Sequence, residues 1–205
     1  MTQPTMRQAY GLKILNGRHA EIRRLKREGY QAEIHGNKFW NSSFLVMNYL
    51  KKHPLKKKAR VLEIGCGWGL LGLYCAKNFD ARVTGIDADA NVLPYLELHA
   101  SINGLKMKGE KKTFKQLSTD YLGNFDVVLG ADICFWDEMT GELSNLINRS
   151  RKAGVSTVMI ADPCRPPFND LVDRMQRKYG DDAQVEEVFL KRPVNASGEI
   201  LIVNP

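Results

Sequence analysis

With 205 residues the chain is long enough for one domain with a full hydrophobic core. Its 43% hydrophobic and 26% charged content is that of a globular protein, and no apolar run nears the ~20 residues of a membrane span. The net charge of +7 can steer a protein toward acidic partners, including nucleic acid.

The basic excess is concentrated in Arg18–Arg27 and Lys51–Arg60, which read equally as a surface for such partners or as solvated faces and a linker. The opening MTQPTMRQAY lacks the apolar centre of a secretion signal, so a cytoplasmic location is expected. Cys66, Cys75, Cys134 and Cys164 form no C-x-x-C pair and read as reduced, buried thiols. His19, His35, His53 and His99 show no ligand spacing, so no metal centre is expected.

Residues 1–16 carry no clear period and read as a partly ordered lead-in. Arg18–Glu28 has helix formers throughout, with Ile22 and Leu25 as apolar anchors. Residues 1–38 are therefore expected to form an N-terminal helical arm, and residues 39–205 the main domain. Gly36 and Asn37 suggest a turn within Tyr30–Trp40. Ser42–Leu50 has an apolar side of Phe44, Leu45, Met47, Tyr49 and Leu50, with Asn41 or Ser42 as its cap. Beyond Pro54, Val61, Leu62 and Ile64 make a short strand suited to burial on both faces. Glycines at 65, 67 and 69 follow, then a helix over Leu70–Lys77 and a second strand, Arg82–Ile86, ending on Asp87.

Ala90–Asn103 is helical by pattern, with Pro94 in its first turn and Gly104 at its end. Lys112–Leu117 and Phe125–Ala131 read as strands, Asp137–Ser150 as a helix and Ser156–Ala161 as a further strand. Phe168–Tyr179 is an amphipathic helix. Two last strands, Val185–Leu190 and Glu199–Val203, are joined through Pro193 and Gly198. Alternating strands and helices predict a doubly wound, mostly parallel α/β sheet, and the last two strands an antiparallel edge.

The stretch Val61–Asp87 is where ligand chemistry concentrates. Glycines after a buried strand let backbone approach a ligand, and the next helix offers free N–H groups. An acid about 20 residues beyond the first glycine can accept both hydroxyls of a ribose. A dinucleotide fingerprint would need glycine at position 70, which is Leu70. The pattern Glu63-x-Gly65-x-Gly67-x-Gly69 instead resembles motif I of class I S-adenosylmethionine-dependent methyltransferases. That resemblance implies a seven-stranded Rossmann-like sheet and S-adenosylmethionine as cofactor. It also places Glu63 near the methionine amino group and Asp87 on the ribose, with Cys66 and Ala88 beside them.

In an open α/β sheet the ligand lies over the C-terminal strand ends, which here include Thr119–Tyr121 and Gly130–Trp136. For Thr119, Asp120 and Tyr121 the readings are adenine contact or an ordinary turn. Ala131-Asp132-Ile133-Cys134-Phe135-Trp136 puts an acid at a strand end with two aromatics one turn later; helical spacing would set Asp132 and Phe135 on one wall. The sequence GADICFW resembles the D-x-x-Y/F motif of the seven-β-strand protein lysine methyltransferases. Lys38-Phe39-Trp40 resembles that family's tryptophan segment, which implies that Trp40 borders the cofactor. Ile160–Pro166 resembles the D-P-G-R-P stretch of the branch acting on the electron-transfer flavoprotein β subunit, with Cys164 where that branch has glycine and Phe135 where tyrosine is commoner.

The resemblance implies methyl transfer to a protein lysine, with small-molecule amines or nucleic acid as other acceptors and a non-catalytic binding module as another outcome. Asp132 would orient the acceptor amine, and Phe135 and Trp136 would strip it of water. The competing reading makes Asp132 the N-cap of the following helix.

Overall fold

A computed structural model describes residues 5–204; the first four residues of the lead-in lie outside them. The rest of that lead-in is not loosely ordered. Strand β1 (Met6–Ala9) pairs antiparallel with β2 (Leu12–Leu15). Tyr10 and Gly11 between them both have positive φ, 50° and 78°, as a two-residue hairpin turn requires. Alternation then buries Leu12 and Ile14 and turns Lys13 outward. The hairpin shares a hydrophobic cluster with Phe44, Leu71 and Tyr74. Helix α1 (Ala20–Arg27) starts at His19, whose Nδ1 accepts the Glu21 N–H. Its Ile22 and Leu25 pack with Trp68 and Tyr95. The expected helical arm is therefore a hairpin and a helix, both seated on the core.

The remaining elements run α2 (Ser42–Lys52), β3 (Arg60–Ile64), α3 (Leu70–Phe79), β4 (Arg82–Asp87), α4 (Leu93–Ile102), β5 (Lys108–Lys111) and α5 (Thr119–Leu122). They continue with β6 (Val127–Ala131), α6 (Asp137–Lys152), β7 (Thr157–Asp162), α7 (Pro166–Tyr179), β8 (Ala183–Leu190) and β9 (Ala196–Val203). Strands β3 to β9 form a seven-stranded sheet in the order β5-β4-β3-β6-β7-β9-β8. The first five in that order are parallel, and β9 is antiparallel to both neighbours.

Val61, Leu62, Ile64, Val128, Leu129 and Ile160 are fully buried, as central parallel strands covered on both faces demand. On one face Leu129 and Met159 meet Phe44 of α2 and Leu73 of α3. On the other, Leu62, Ile64 and Val128 meet Leu143 and Leu146 of α6 and Phe168 and Leu171 of α7.

One expected strand falls elsewhere. Residues 114–116, inside the expected Lys112–Leu117, form a 3-10 turn held by reciprocal capping between Thr113 and Gln116. The edge strand is Lys108–Lys111, defined by its pairing with β4 and not by apolar alternation. The strand order reverses between β3 and β6, which opens a crevice over the C-terminal ends of β4, β3 and β6.

Candidate active site

The turn after β3 is built around a carboxylate. Asp87, closing β4, accepts the Gly67 N–H on Oδ2 at 2.9 Å and the Asp89 N–H on Oδ1 at 3.0 Å. Burial raises its pKa, and those N–H donors pull the other way. Gly65 has φ 58°, and a Cβ there would lie 2.5 Å from Ile133 Cγ2. Gly67 has φ 50°, yet a Cβ there would meet no atom within 4 Å. It faces open space.

That space is a cavity of about 250 Å³. Gly65, Gly67, Asp87 and Ala88 form its floor, Lys112, Thr113 and Phe114 one side, and Ala131, Asp132, Ile133, Phe135 and Trp136 another. Ile34, His35, Gly36, Lys38 and Trp40 join the lining from the segment between α1 and α2, and Met139 and Glu142 of α6 complete it. Backbone and side-chain bonds pin this segment down. The Glu33 and Ile34 N–H groups donate to Asp89 Oδ2 at 2.6 and 3.2 Å. Trp68 Nε1 donates to the Gly36 carbonyl at 3.0 Å, and the Tyr95 hydroxyl to that of Tyr30. Its aromatic members close on the β6 loop: His35 stacks on Phe135 at 4.6 Å between centroids, and Trp40 meets Phe135 at 5.7 Å. Trp136, 47% exposed, marks the rim.

Asp132 is 4% exposed and has φ 57°. Its Oδ2 accepts the Ser42 N–H at 3.0 Å in the first turn of α2, and its Oδ1 accepts Arg165 Nη2 at 2.8 Å. Arg165 also donates Nη1 to Asp162 Oδ2 at 2.7 Å. Burial pushes the Asp162 carboxyl up to about 6. Asp132 thus caps a helix, but that helix is α2; α6 begins at Asp137, with Trp136 before it providing no side-chain cap. Nor does a helical turn bring Asp132 and Phe135 to one wall, since residues 132–136 are irregular. The left-handed backbone at Asp132 accomplishes it.

Trp40, Gly65, Gly67, Asp87, Ala88, Ala131, Asp132, Phe135 and Trp136 therefore meet around one cavity. Glu63, Cys66 and Gly69 stand behind it. Gly69 starts α3, and burial raises the Cys66 thiol pKa. Glu63 Oε2 accepts the Gly72 N–H at 2.9 Å, and burial pushes its carboxyl up to about 8. Thr119, Asp120 and Tyr121 are not brought to the cavity. They sit on α5, where the Tyr121 hydroxyl donates to Glu110 at 3.2 Å and its ring packs on Phe125. Thr113 and Phe114 line the cavity in their place. The sequence carries no periodic signal for Ile34, His35 and Lys38, whose place in the wall follows from tertiary bonds.

Glu63 makes stability pH-dependent. Its folded pKa of about 8 exceeds the ordinary 4.5, so the folded state binds more protons between those values and stability falls as pH rises through them. The unliganded protein is expected to lose a few kcal/mol between pH 5 and 8. Glu63→Gln should flatten that slope, read as melting midpoint against pH.

Residues 61–154 match a family described as a methyltransferase domain. The chain is 34% identical over 114 residues to phosphoethanolamine N-methyltransferase 3 of Arabidopsis thaliana, covering 55% of this chain and 23% of that protein. It is 34% identical over 123 residues to a histidine protein methyltransferase 1 homolog of Dictyostelium discoideum, covering 55% and 38%. The chain thus spans well under half the length of either relative. A SAM-dependent methyltransferase from Agrobacterium tumefaciens superposes with a TM-score of 0.71 at 12% identity, over all of this chain and 72% of that one.

The cavity suits the cofactor of such domains. Gly67 leaves a cradle that any side chain would fill, and Asp87 offers a fixed acceptor beside it. Ile34, Ala88, Phe114 and Ile133 supply apolar walls. Fold, motif and comparisons converge on one statement: the chain has a Rossmann-like α/β fold whose residues 61–154 match a methyltransferase domain, and the cofactor that such a domain implies is S-adenosylmethionine.

Proposed function

We propose that the chain transfers the methyl group of S-adenosylmethionine to an amine, specifically a lysine side chain of a protein. The observation that carries this reading is the pairing of Asp132 with an aromatic wall at the open end of the cavity. The cofactor supplies an electrophilic methyl on a sulfonium. This chain's residues supply the rest. A lysine amine, with a pKa near 10.4, must shed a proton and be held in line. The Asp132 oxygens are fixed by Ser42 and Arg165 and keep lone pairs for an amine N–H. Phe135, Trp136, His35 and Trp40 exclude water, and the Trp136 ring, over which no cation sits among the described residues, favours a cationic product by about 0.5–2 kcal/mol. A rim at Trp136 suits a long side chain entering from a folded partner.

The Dictyostelium relative's name records action on a protein histidine, which supports a protein acceptor. The Arabidopsis relative acts on phosphoethanolamine by its name, which favours the second reading, a small-molecule amine. Nucleic acid gains less support. In the basic runs Arg24 pairs with Glu21 and Glu28, and Arg60 with Asp126.

Transfer of tritiated methyl from S-adenosylmethionine into a cell lysate is the test. Label lost to protease and kept through nuclease is expected. Label in small molecules would shift the acceptor to the second reading, and cofactor binding with no label anywhere would leave a binding module. For the cofactor, Asp87→Ala should weaken binding by about 1–3 kcal/mol, read by calorimetry beside a melting curve. Unchanged affinity in a folded variant would remove Asp87 from the ribose.

A further inference from the structure

A second cleft of about 530 Å³ adjoins the cavity and shares Lys38, Trp40 and Asp132 with it. Its charged lining is Arg7, Lys38 and Arg165 against the single carboxylate of Asp132. Arg165 is neutralised by its bonds to Asp132 and Asp162. Arg7 and Lys38 are not: among the described residues neither forms an ion pair. Each is instead held against a ring, the Arg7 guanidinium 4.9 Å from the Phe39 centroid and the Lys38 ammonium 4.4 Å from that of Trp40. A ring fixes the position of a cation without cancelling its charge. Ser42 and Ser197 add polar groups to the same walls.

We infer that this cleft seats an anionic group carried by the acceptor next to the amine that is methylated. The inference rests on the amine-methyltransferase reading above and narrows its substrate class. Trp40 and Lys38 stand between the two spaces, so one molecule can present its amine to Asp132 and its anion to Arg7 and Lys38. Two sources offer that chemistry: the side-chain carboxylate of a residue flanking a lysine, and the phosphate of a small amine. Guanidinium and ammonium groups bind either by charge-assisted hydrogen bonds.

The test uses matched probes on the full chain saturated with S-adenosylhomocysteine. One pair is a peptide acetylated at its N-terminus that carries a free lysine side chain flanked by aspartates, with its asparagine-flanked twin; the other is phosphoethanolamine and ethanolamine. Wild type should bind the anionic member of at least one pair tenfold or more tighter, and that pair names the source. Arg7→Gln and Lys38→Gln should each erase most of the preference, while Arg7→Lys retains it. Arg7 lies outside the cofactor cavity, so Arg7→Gln should bind S-adenosylmethionine as wild type does. Equal binding within both pairs, or a preference that survives both glutamine variants, overturns the inference. Methyl transfer into protein with no preference within either pair would sink the anion seat alone. Failure to bind S-adenosylmethionine would sink the parent reading as well.

Discussion

Valine in place of Gly67 is expected to abolish S-adenosylmethionine binding in a protein that still folds. Two effects add. The backbone at Gly67 is left-handed, with φ 50°, which costs a residue with a Cβ about 1–2 kcal/mol and a β-branched one more. That part lowers the melting temperature by a few degrees. The larger effect falls on the ligand. An added Cβ meets no protein atom within 4 Å, so valine's methyls project into the cavity and occupy the cofactor's space. Calorimetry should show affinity down by 100-fold or more, and Gly67→Ala should fall between. A folded Gly67→Val protein with normal affinity would place the cofactor somewhere other than this cradle.

Asp132→Asn should cut single-turnover methyl transfer by at least 100-fold at saturating cofactor, about 2.7 kcal/mol of lost transition-state stabilisation. Asparagine keeps a carbonyl oxygen for the Ser42 N–H and so preserves the cap on α2. It loses the charge-assisted bond to Arg165, which keeps Asp162. Stability should therefore drop by only about 1–3 kcal/mol. Affinity for S-adenosylmethionine should hold. A normal rate would confine Asp132 to its architectural duties at α2 and Arg165.

The core of the sheet was legible because it is written in short-range signals. A buried strand, a glycine turn, a helix and a strand ending in an acid follow one another from Val61 to Asp87 and appear in that register as β3, α3 and β4. The paired strands at the C-terminus were legible for the same reason. The hairpin at Met6–Leu15 was not, since its turn is Tyr10-Gly11 and the usual asparagine or aspartate before glycine is absent. Alternation of Leu12, Lys13 and Ile14 was the signal available. At the site, Gly65, Gly67 and Asp87 were readable from spacing, as was the dense chemistry of residues 131–136. The partners of Asp132 were not readable. Ser42 lies 90 residues away and Arg165 lies 33 away, and both bonds exist only in the folded chain. Lys112–Phe114 escaped notice because a polar edge strand leaves no pattern to anchor the loop that follows it.

Asp87 and Asp89 are two residues apart and hydrogen-bonded to each other. One faces the cofactor cavity, and the other holds Glu33 and Ile34 of the segment that carries His35 and Trp40 toward the acceptor end. On the proposed reading, cofactor and acceptor are then not independent ligands. Whatever either one contributes to settling that segment, the other finds already done, and thermodynamic reciprocity makes the benefit equal in both directions. If saturating cofactor tightens the acceptor by some factor, saturating acceptor must tighten the cofactor by that same factor. The demethylated product, lacking the sulfonium charge, inherits the same partnership.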